Sequence, residues 1–123
     1  MRQPVPLDDE RLPQILGVVQ RDGEVDLDIF IPDSLFYLRG HFPTYPILPG
    51  VVQVDWALHF GRDYLSVGAG SSAVIQVKFR RPIRPLERIR LRLMHAEAQR
   101  RLSFDYSNNQ GQCSLGQITL VSL

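Results

Sequence analysis

The chain has 123 residues, 44% of them hydrophobic and 22% charged, with a formal net charge of +1, proportions that fit a soluble globular protein and exclude a disordered one. One domain with a real core is the simplest organisation at this length, and so small a chain gains stability from oligomerisation. No stretch approaches the roughly 20 apolar residues needed to span a bilayer, and a single cysteine, Cys113, excludes an intramolecular disulfide.

Met1 to Pro6 leads into Asp8-Asp9-Glu10 with no apolar run behind it. Residues 1–11 are therefore expected as an extended segment without a signal peptide, and the expected location is cytoplasmic. Ile15 to Val19 reads as a first strand, joined through Arg21-Asp22-Gly23 to a second in which Val25, Leu27, Ile29 and Ile31 alternate with Glu24, Asp26, Asp28 and Phe30. From Val51 to Leu65, apolar residues at 51, 52, 54, 56, 57, 58, 60, 64 and 65 surround most of a helical wheel, which predicts a buried helix. Gly61, and then Gly68-Ala69-Gly70-Ser71-Ser72, are expected to release the chain from helix to sheet. Strand alternation returns at Ala73 to Arg80, Arg88 to Ala96, Arg101 to Ser107 and Gln112 to Leu120, with Asn108-Asn109-Gln110-Gly111 as the hairpin turn between the last two. The expected architecture is α+β: one domain over 1–123, with an antiparallel sheet wrapped around a single long central helix.

Charge is unevenly spread. Residues 1–33 carry three arginines against eight acids, a balance of −5, whereas residues 78–101 carry Lys78 and eight arginines against Glu87 and Glu97, a balance of +7. Such a segment suits a positive patch that meets an acidic protein or a phosphorylated ligand. It equally suits arginines on the solvated faces of strands, because Arg88, Arg90 and Arg92 alternate with Ile89, Leu91 and Leu93. No nucleic-acid-binding motif and no aromatic interleaving accompany them, which argues against a nucleic-acid partner.

The stretch from Gly40 to Trp56 concentrates chemistry. Pro43, Pro46 and Pro49 stiffen the backbone that follows His41, a side chain that titrates near neutrality. Pro49-Gly50 then opens the helix, whose first amides are free to face a ligand. Asp55 lies in the second turn of a mostly apolar helix, where a carboxylate must be paired, hydrogen-bonded or held near the helix's positive end. A capping or arginine-pairing role for Asp55, and a structural role for His41, are the simpler alternatives. A base, an acid and an oxyanion donor brought together make a proton-transfer site. No Cys or His cluster has the spacing of a metal site, and Cys113 reads as a buried strand thiol.

Gly40-His41-Phe42-Pro43, the proline at 46, Pro49-Gly50 and an acid fourteen positions after the histidine resemble the active-site segment of the hotdog-fold 3-hydroxyacyl-[acyl-carrier-protein] dehydratases. In that family the acid is glutamate in one bacterial branch and aspartate in the branch that also isomerises the double bond; Asp55 matches the latter. Val77-Lys78-Phe79-Arg80-Arg81-Pro82-Ile83-Arg84-Pro85 is similar to a second block of the same family. The two blocks cover about 30 of the 123 residues. The wording from Leu48 to Ala57 is most similar to the dehydratase-like proteins of aryl polyene gene clusters. Three positions depart from the family pattern: Thr44 replaces a common glycine, His59 a common glutamine, and Pro85-Leu86-Glu87 a common Pro-Gly-Asp. His59 lies one turn after Asp55, where it is placed to compete for the carboxylate, line the ligand site or serve only the structure.

The resemblance implies a hotdog fold and dehydration of (3R)-hydroxyacyl thioesters, linked to acyl carrier protein or coenzyme A, to trans-2-enoyl thioesters. His41 would be the base, the Gly50 N–H the oxyanion donor and Asp55 the acid. Phe42, Pro49, Val51, Trp56 and His59 would line the substrate; Trp56 is the preferred tunnel wall, with a place in the core as its simpler alternative. Arg80, Arg81, Arg84 and Arg88 would receive the carrier protein and its phosphopantetheine. Neither metal nor other cofactor is implied. In the family the histidine and the acid that face one another come from different subunits, so a homodimer with two composite sites is expected, with a higher oligomer open. A hotdog acyl thioesterase and a non-catalytic acyl-thioester-binding subunit are the alternatives, because one fold hosts many functions.

Overall fold

Alternating side chains build one antiparallel sheet from six strands: β1 (Gln14–Arg21), β2 (Glu24–Phe30), β3 (Ser72–Phe79), β4 (Arg88–Ala96), β5 (Arg101–Asn108) and β6 (Gly111–Leu120). The computed structural model describes residues 11–35, 38, 46–68 and 72–121, so the expected extended segment 1–11 lies, apart from Arg11, outside the described residues. The strand order is β1-β2-β4-β5-β6-β3, which leaves β1 and β3 as edges. Among the described residues one long helix, α1 (Gly50–Leu65), packs against β2, β4 and β5. This is the α+β architecture expected from the pattern.

Register explains the core. Val25 pairs with Leu93, Leu27 with Leu91 and Ile29 with Ile89, and all six side chains are fully buried beneath the helix. The intervening positions face outward and pair acids with arginines: Asp26 lies opposite Arg92, and Asp28 opposite Arg90. Arg92 Nε reaches Asp26 at 2.8 Å, Arg21 reaches the same carboxylate at 3.1 Å, and Arg88 Nε holds both oxygens of Asp28 at 3.0 and 3.1 Å. Hydrogen bonds from Arg92, then Arg21, keep the Asp26 carboxyl below its ordinary range against the opposing effect of burial. Arg88 does the same for Asp28. The acidic strand β2 and the arginine-rich strand β4 are thus neighbours in space, and Asp26 and Asp28 offset the charges of Arg92 and Arg88. The broad positive patch that the sequence suggests shrinks accordingly, and Arg88, expected to receive a carrier protein, is committed to Asp28.

Two expectations about the helix are corrected. Gly61 does not end it; the helix runs on to Leu65, and Ser66 closes it in a left-handed conformation (φ 56°), with its N–H bonded to the Gly61 carbonyl. Gly61 instead permits close packing, since a Cβ there would lie 2.9 Å from Leu102 Cδ2. Nor is the helix buried all round. Val51 is 75% exposed, Asp55, Arg62 and Asp63 are exposed, and His59 and Val54 are half-buried. One face of α1 therefore stays open in the single chain. No helix among the described residues is long and apolar enough to cross a membrane.

The departure at Pro85-Leu86-Glu87 has a visible backbone consequence. Leu86 adopts φ 66°, a left-handed conformation, with its N–H on the Ile31 carbonyl at 2.6 Å, while Ile31 returns a bond to the Glu87 carbonyl at 3.0 Å. A left-handed leucine costs roughly 1–2 kcal/mol, and glycine, common here in the similar family, relieves it. Because glycine also loosens the unfolded chain, Leu86→Gly is expected to raise the unfolding free energy by only about 0.5–1 kcal/mol. Urea denaturation measures this, and an unshifted midpoint would mean that the Leu86 side chain contributes packing equal to the strain.

Candidate active site

The start of α1 is the centre of the candidate site. Pro49 precedes the helix with φ −59° and ψ 146°, and its carbonyl accepts from the N–H groups of Val52 at 3.1 Å and Gln53 at 3.2 Å. The N–H groups of Gly50 and Val51 precede these, and among the described residues they have no backbone acceptor. They are the open donors that a helix start leaves. A Cβ at Gly50 would lie 2.5 Å from Phe79 Cζ and 2.8 Å from Cε1. Glycine at position 50 thus lets the Phe79 ring, itself 57% exposed, lie against the helix start. Phe79 belongs to the second motif block, so the two blocks meet here.

Asp55 is on the open face of the helix, in line with Val51 one turn before and His59 one turn after. The sequence predicts a carboxylate in need of a partner; in the single chain its exposure to water removes that need, and among the described residues it has no hydrogen bond or ion pair. His59 pairs instead with Asp63 Oδ2 at 3.3 Å and sets its ring edge-to-face against Phe60 at 5.1 Å. Competition of His59 for Asp55 is therefore not observed. Trp56, for which the sequence left core and tunnel wall as alternatives, packs into the core: it is 1% exposed and donates its indole N–H to the Arg11 carbonyl at 2.8 Å. Successive helical residues point about 100° apart, so the neighbour of an exposed acid faces the sheet. His41 and Phe42 lie outside the described residues.

Beneath the first two turns lies a polar cluster that no motif announces. Gln53 is 3% exposed. Its Nε2 donates to the Leu48 carbonyl at 3.2 Å, its Oε1 accepts from Ser114 Oγ at 2.6 Å, and its backbone carbonyl accepts from the Tyr106 hydroxyl at 2.6 Å. Burial first, and then the Asp55 carboxylate, push the Tyr106 phenol well above its ordinary range, so it stays a donor. The Leu48 N–H is held by the Ile83 carbonyl at 2.8 Å. A glutamine among apolar neighbours was the available sequence signal, but its partners lie 53 and 61 positions away.

Arg80 and Arg81 follow Phe79 directly, and both backbone N–H groups bond the Cys113 carbonyl, at 2.8 and 3.0 Å. Their side chains are exposed and, among the described residues, make no ion pair. Arg84 is exposed on the same connection. Cys113 is buried, which pushes its thiol up to about 11. A broad depression of about 1090 Å³ lies on the outer sheet face, lined by the paired groups Asp26, Asp28 and Arg88 and by Arg90. Asp26 and Asp28 in its lining are already paired, with Arg92 and Arg88. Among the described residues, no three His, Cys, Asp or Glu side chains gather to hold a metal.

One long helix laid across a six-stranded antiparallel sheet of this order is the hotdog fold, and solved hotdog structures superpose on it. The chain belongs to the ApeI-like dehydratase family, whose ApeI dehydratase model matches residues 18–117. A chain of the dehydratase heterocomplex ApeI:P from Xenorhabdus doucetiae is 32% identical over 90% of this chain and 99% of that one, with a TM-score of 0.85. An uncharacterized protein from Erwinia carotovora subsp. atroseptica is also 32% identical, covering 91% and 98%, with a TM-score of 0.76. Mouse thioesterase superfamily member 2, at 11% identity, 86% and 81% coverage and a TM-score of 0.65, shares the fold alone.

Proposed function

We propose that the protein is a dehydratase that converts (3R)-hydroxyacyl thioesters, carried on acyl carrier protein or coenzyme A, to trans-2-enoyl thioesters. The observation that carries this reading is the start of α1, where open Gly50 and Val51 N–H groups and an exposed Asp55 share one end of a helix in a chain of the ApeI-like dehydratase family. His41 removes a C2 proton, and the C2–H electron pair becomes the C2=C3 double bond. The C3–O bond breaks as Asp55 gives a proton to the departing hydroxyl, which leaves as water. The Gly50 N–H, helped by the positive end of the helix, holds the thioester oxygen as negative charge builds on it.

A second copy of the chain completes the site in this reading. Edge strand β3, the exposed Val51 and Phe79 and the open helix face form one continuous surface that a partner would cover, burying Asp55 beside the partner's loop. Pro49, Val51, Phe42 and the half-buried His59 line the acyl thioester there, and the exposed Arg80 and Arg81, with Arg84, flank the entrance where an acidic carrier protein docks. The related ApeI:P structure is a heterocomplex, so a different hotdog chain as partner is the alternative assembly, and light scattering of the purified chain separates the two. The test of function is to assay hydration of 2-enoyl thioesters and hydrolysis of acyl thioesters separately, on carrier protein and on coenzyme A. Hydration is the expected activity. Hydrolysis alone would make the protein a thioesterase, and neither activity would make it a binding subunit.

A further inference from the structure

Gln53 joins four pieces of the molecule. Its backbone N–H bonds the Pro49 carbonyl, its side-chain amide holds Leu48 and Ser114, and its carbonyl receives Tyr106. The loop before the helix is thereby tied to β5 and β6 through one buried residue. Pro49 fixes its own φ, so the joints left free to turn the Gly50 N–H are Pro49 ψ and the Leu48 peptide. Gln53 grips the Leu48–Pro49 peptide by its carbonyl, and the Ile83 carbonyl accepts from the Leu48 N–H, which belongs to the peptide before it.

We propose that Gln53, anchored by Ser114 and Tyr106, is a positioning residue that sets the direction of the Gly50 N–H relative to Asp55. The proposal rests on the dehydratase reading for the roles of those two groups. Gln53 touches no reacting atom. It acts by holding an oxyanion donor on one side of the helix start and an acid five residues later in a single fixed relation. A displacement of about 1 Å between such groups is enough to cost about 100-fold in rate.

The test must separate positioning from folding. Gln53→Leu alone strands both the Ser114 hydroxyl and the Leu48 carbonyl, whereas Gln53→Leu with Ser114→Ala leaves only the Leu48 carbonyl without its donor. The double variant is expected to stay folded, melting about 5–15 °C below wild type, while kcat for 2-enoyl thioester hydration falls about 10- to 100-fold at nearly constant KM. Amide hydrogen exchange at Val52 and Gln53, whose N–H groups bond the Pro49 carbonyl, is expected to quicken at least about tenfold. In Gln53→Glu the side chain donates to Leu48 only when protonated, so activity is expected at low pH and lost as pH rises, an inflection absent from wild type. A folded double variant with wild-type kcat and unchanged exchange would overturn the proposal. If wild type hydrates no enoyl thioester, the dehydratase reading fails on its own, and the exchange measurement still decides whether Gln53 fixes the helix start.

Discussion

Replacing Asp55 with asparagine is expected to lower the rate of 2-enoyl thioester hydration by about 10²- to 10⁴-fold, the usual contribution of a positioned acid or base. His41→Ala is expected to fall in the same range. The asparagine keeps the shape of the side chain and removes only its capacity to give and take a proton. Because Asp55 is exposed on the helix surface, its substitution should move unfolding free energy by no more than about 0.5 kcal/mol. A large rate loss at unchanged stability would therefore report chemistry. A rate within threefold of wild type would remove Asp55 from the mechanism. The composite-site reading adds a sharper outcome. Dimers mixed from His41→Ala and Asp55→Asn chains carry one site with both defects and one with neither, so refolding the two inactive variants together should restore about a quarter of wild-type activity. No recovery from a mixture shown to contain heterodimers would place both groups in one chain.

Strand positions were legible because apolar alternation is a local property, and each face of a two-sided sheet writes it directly into the chain. Val25, Leu27 and Ile29, and their partners Ile89, Leu91 and Leu93, needed nothing beyond it. The helix was legible in extent but not in exposure. An apolar residue at 51 marks a surface that something covers, and periodicity does not say whether the cover is the chain's own sheet or a partner; in the single chain Val51 is open. The same ambiguity misplaced Asp55, whose apolar neighbours suggested burial, and left Trp56 open between core and ligand site, although neighbours in sequence point about 100° apart on a helix. Long-range polar pairs were invisible for a different reason. The arginines of β4 look like a free positive segment until β2 is laid beside them, and Gln53 looks unremarkable until Tyr106 and Ser114 arrive from two other strands. Leu86 shows a third limit, since nothing in a leucine signals the left-handed turn that its neighbours impose.

Gly116→Ala is expected to destabilise the protein by about 1–3 kcal/mol, the ordinary cost of forcing extra volume into a packed core. Gly116 stands in β6 between Phe104 of β5 and Val77 of β3. A Cβ there would lie 2.6 Å from both Cε2 and Cζ of Phe104 and 2.8 Å from the Gln76 carbonyl. Neither neighbour yields cheaply. The carbonyl belongs to the backbone of β3 beside an irregularity in its register, and the Phe104 ring is buried and set edge-on against Tyr106, with centroids 5.8 Å apart at 70°. Gly68, where an added Cβ meets nothing within 4 Å, supplies the control: Gly68→Ala should stay within about 0.5 kcal/mol of wild type. Coupling makes the claim specific. Shrinking the ring in Phe104→Leu with Gly116→Ala should recover part of the loss relative to the sum of the single variants, because residues in direct contact are not additive. Strict additivity in denaturant unfolding would show that the methyl group meets the sheet backbone and not the ring. The ring matters beyond stability, for Phe104 braces Tyr106, and Tyr106 carries the hydrogen bond that holds the second residue before Asp55. A glycine in a strand paired on both sides thereby keeps the packing on which the start of the helix rests.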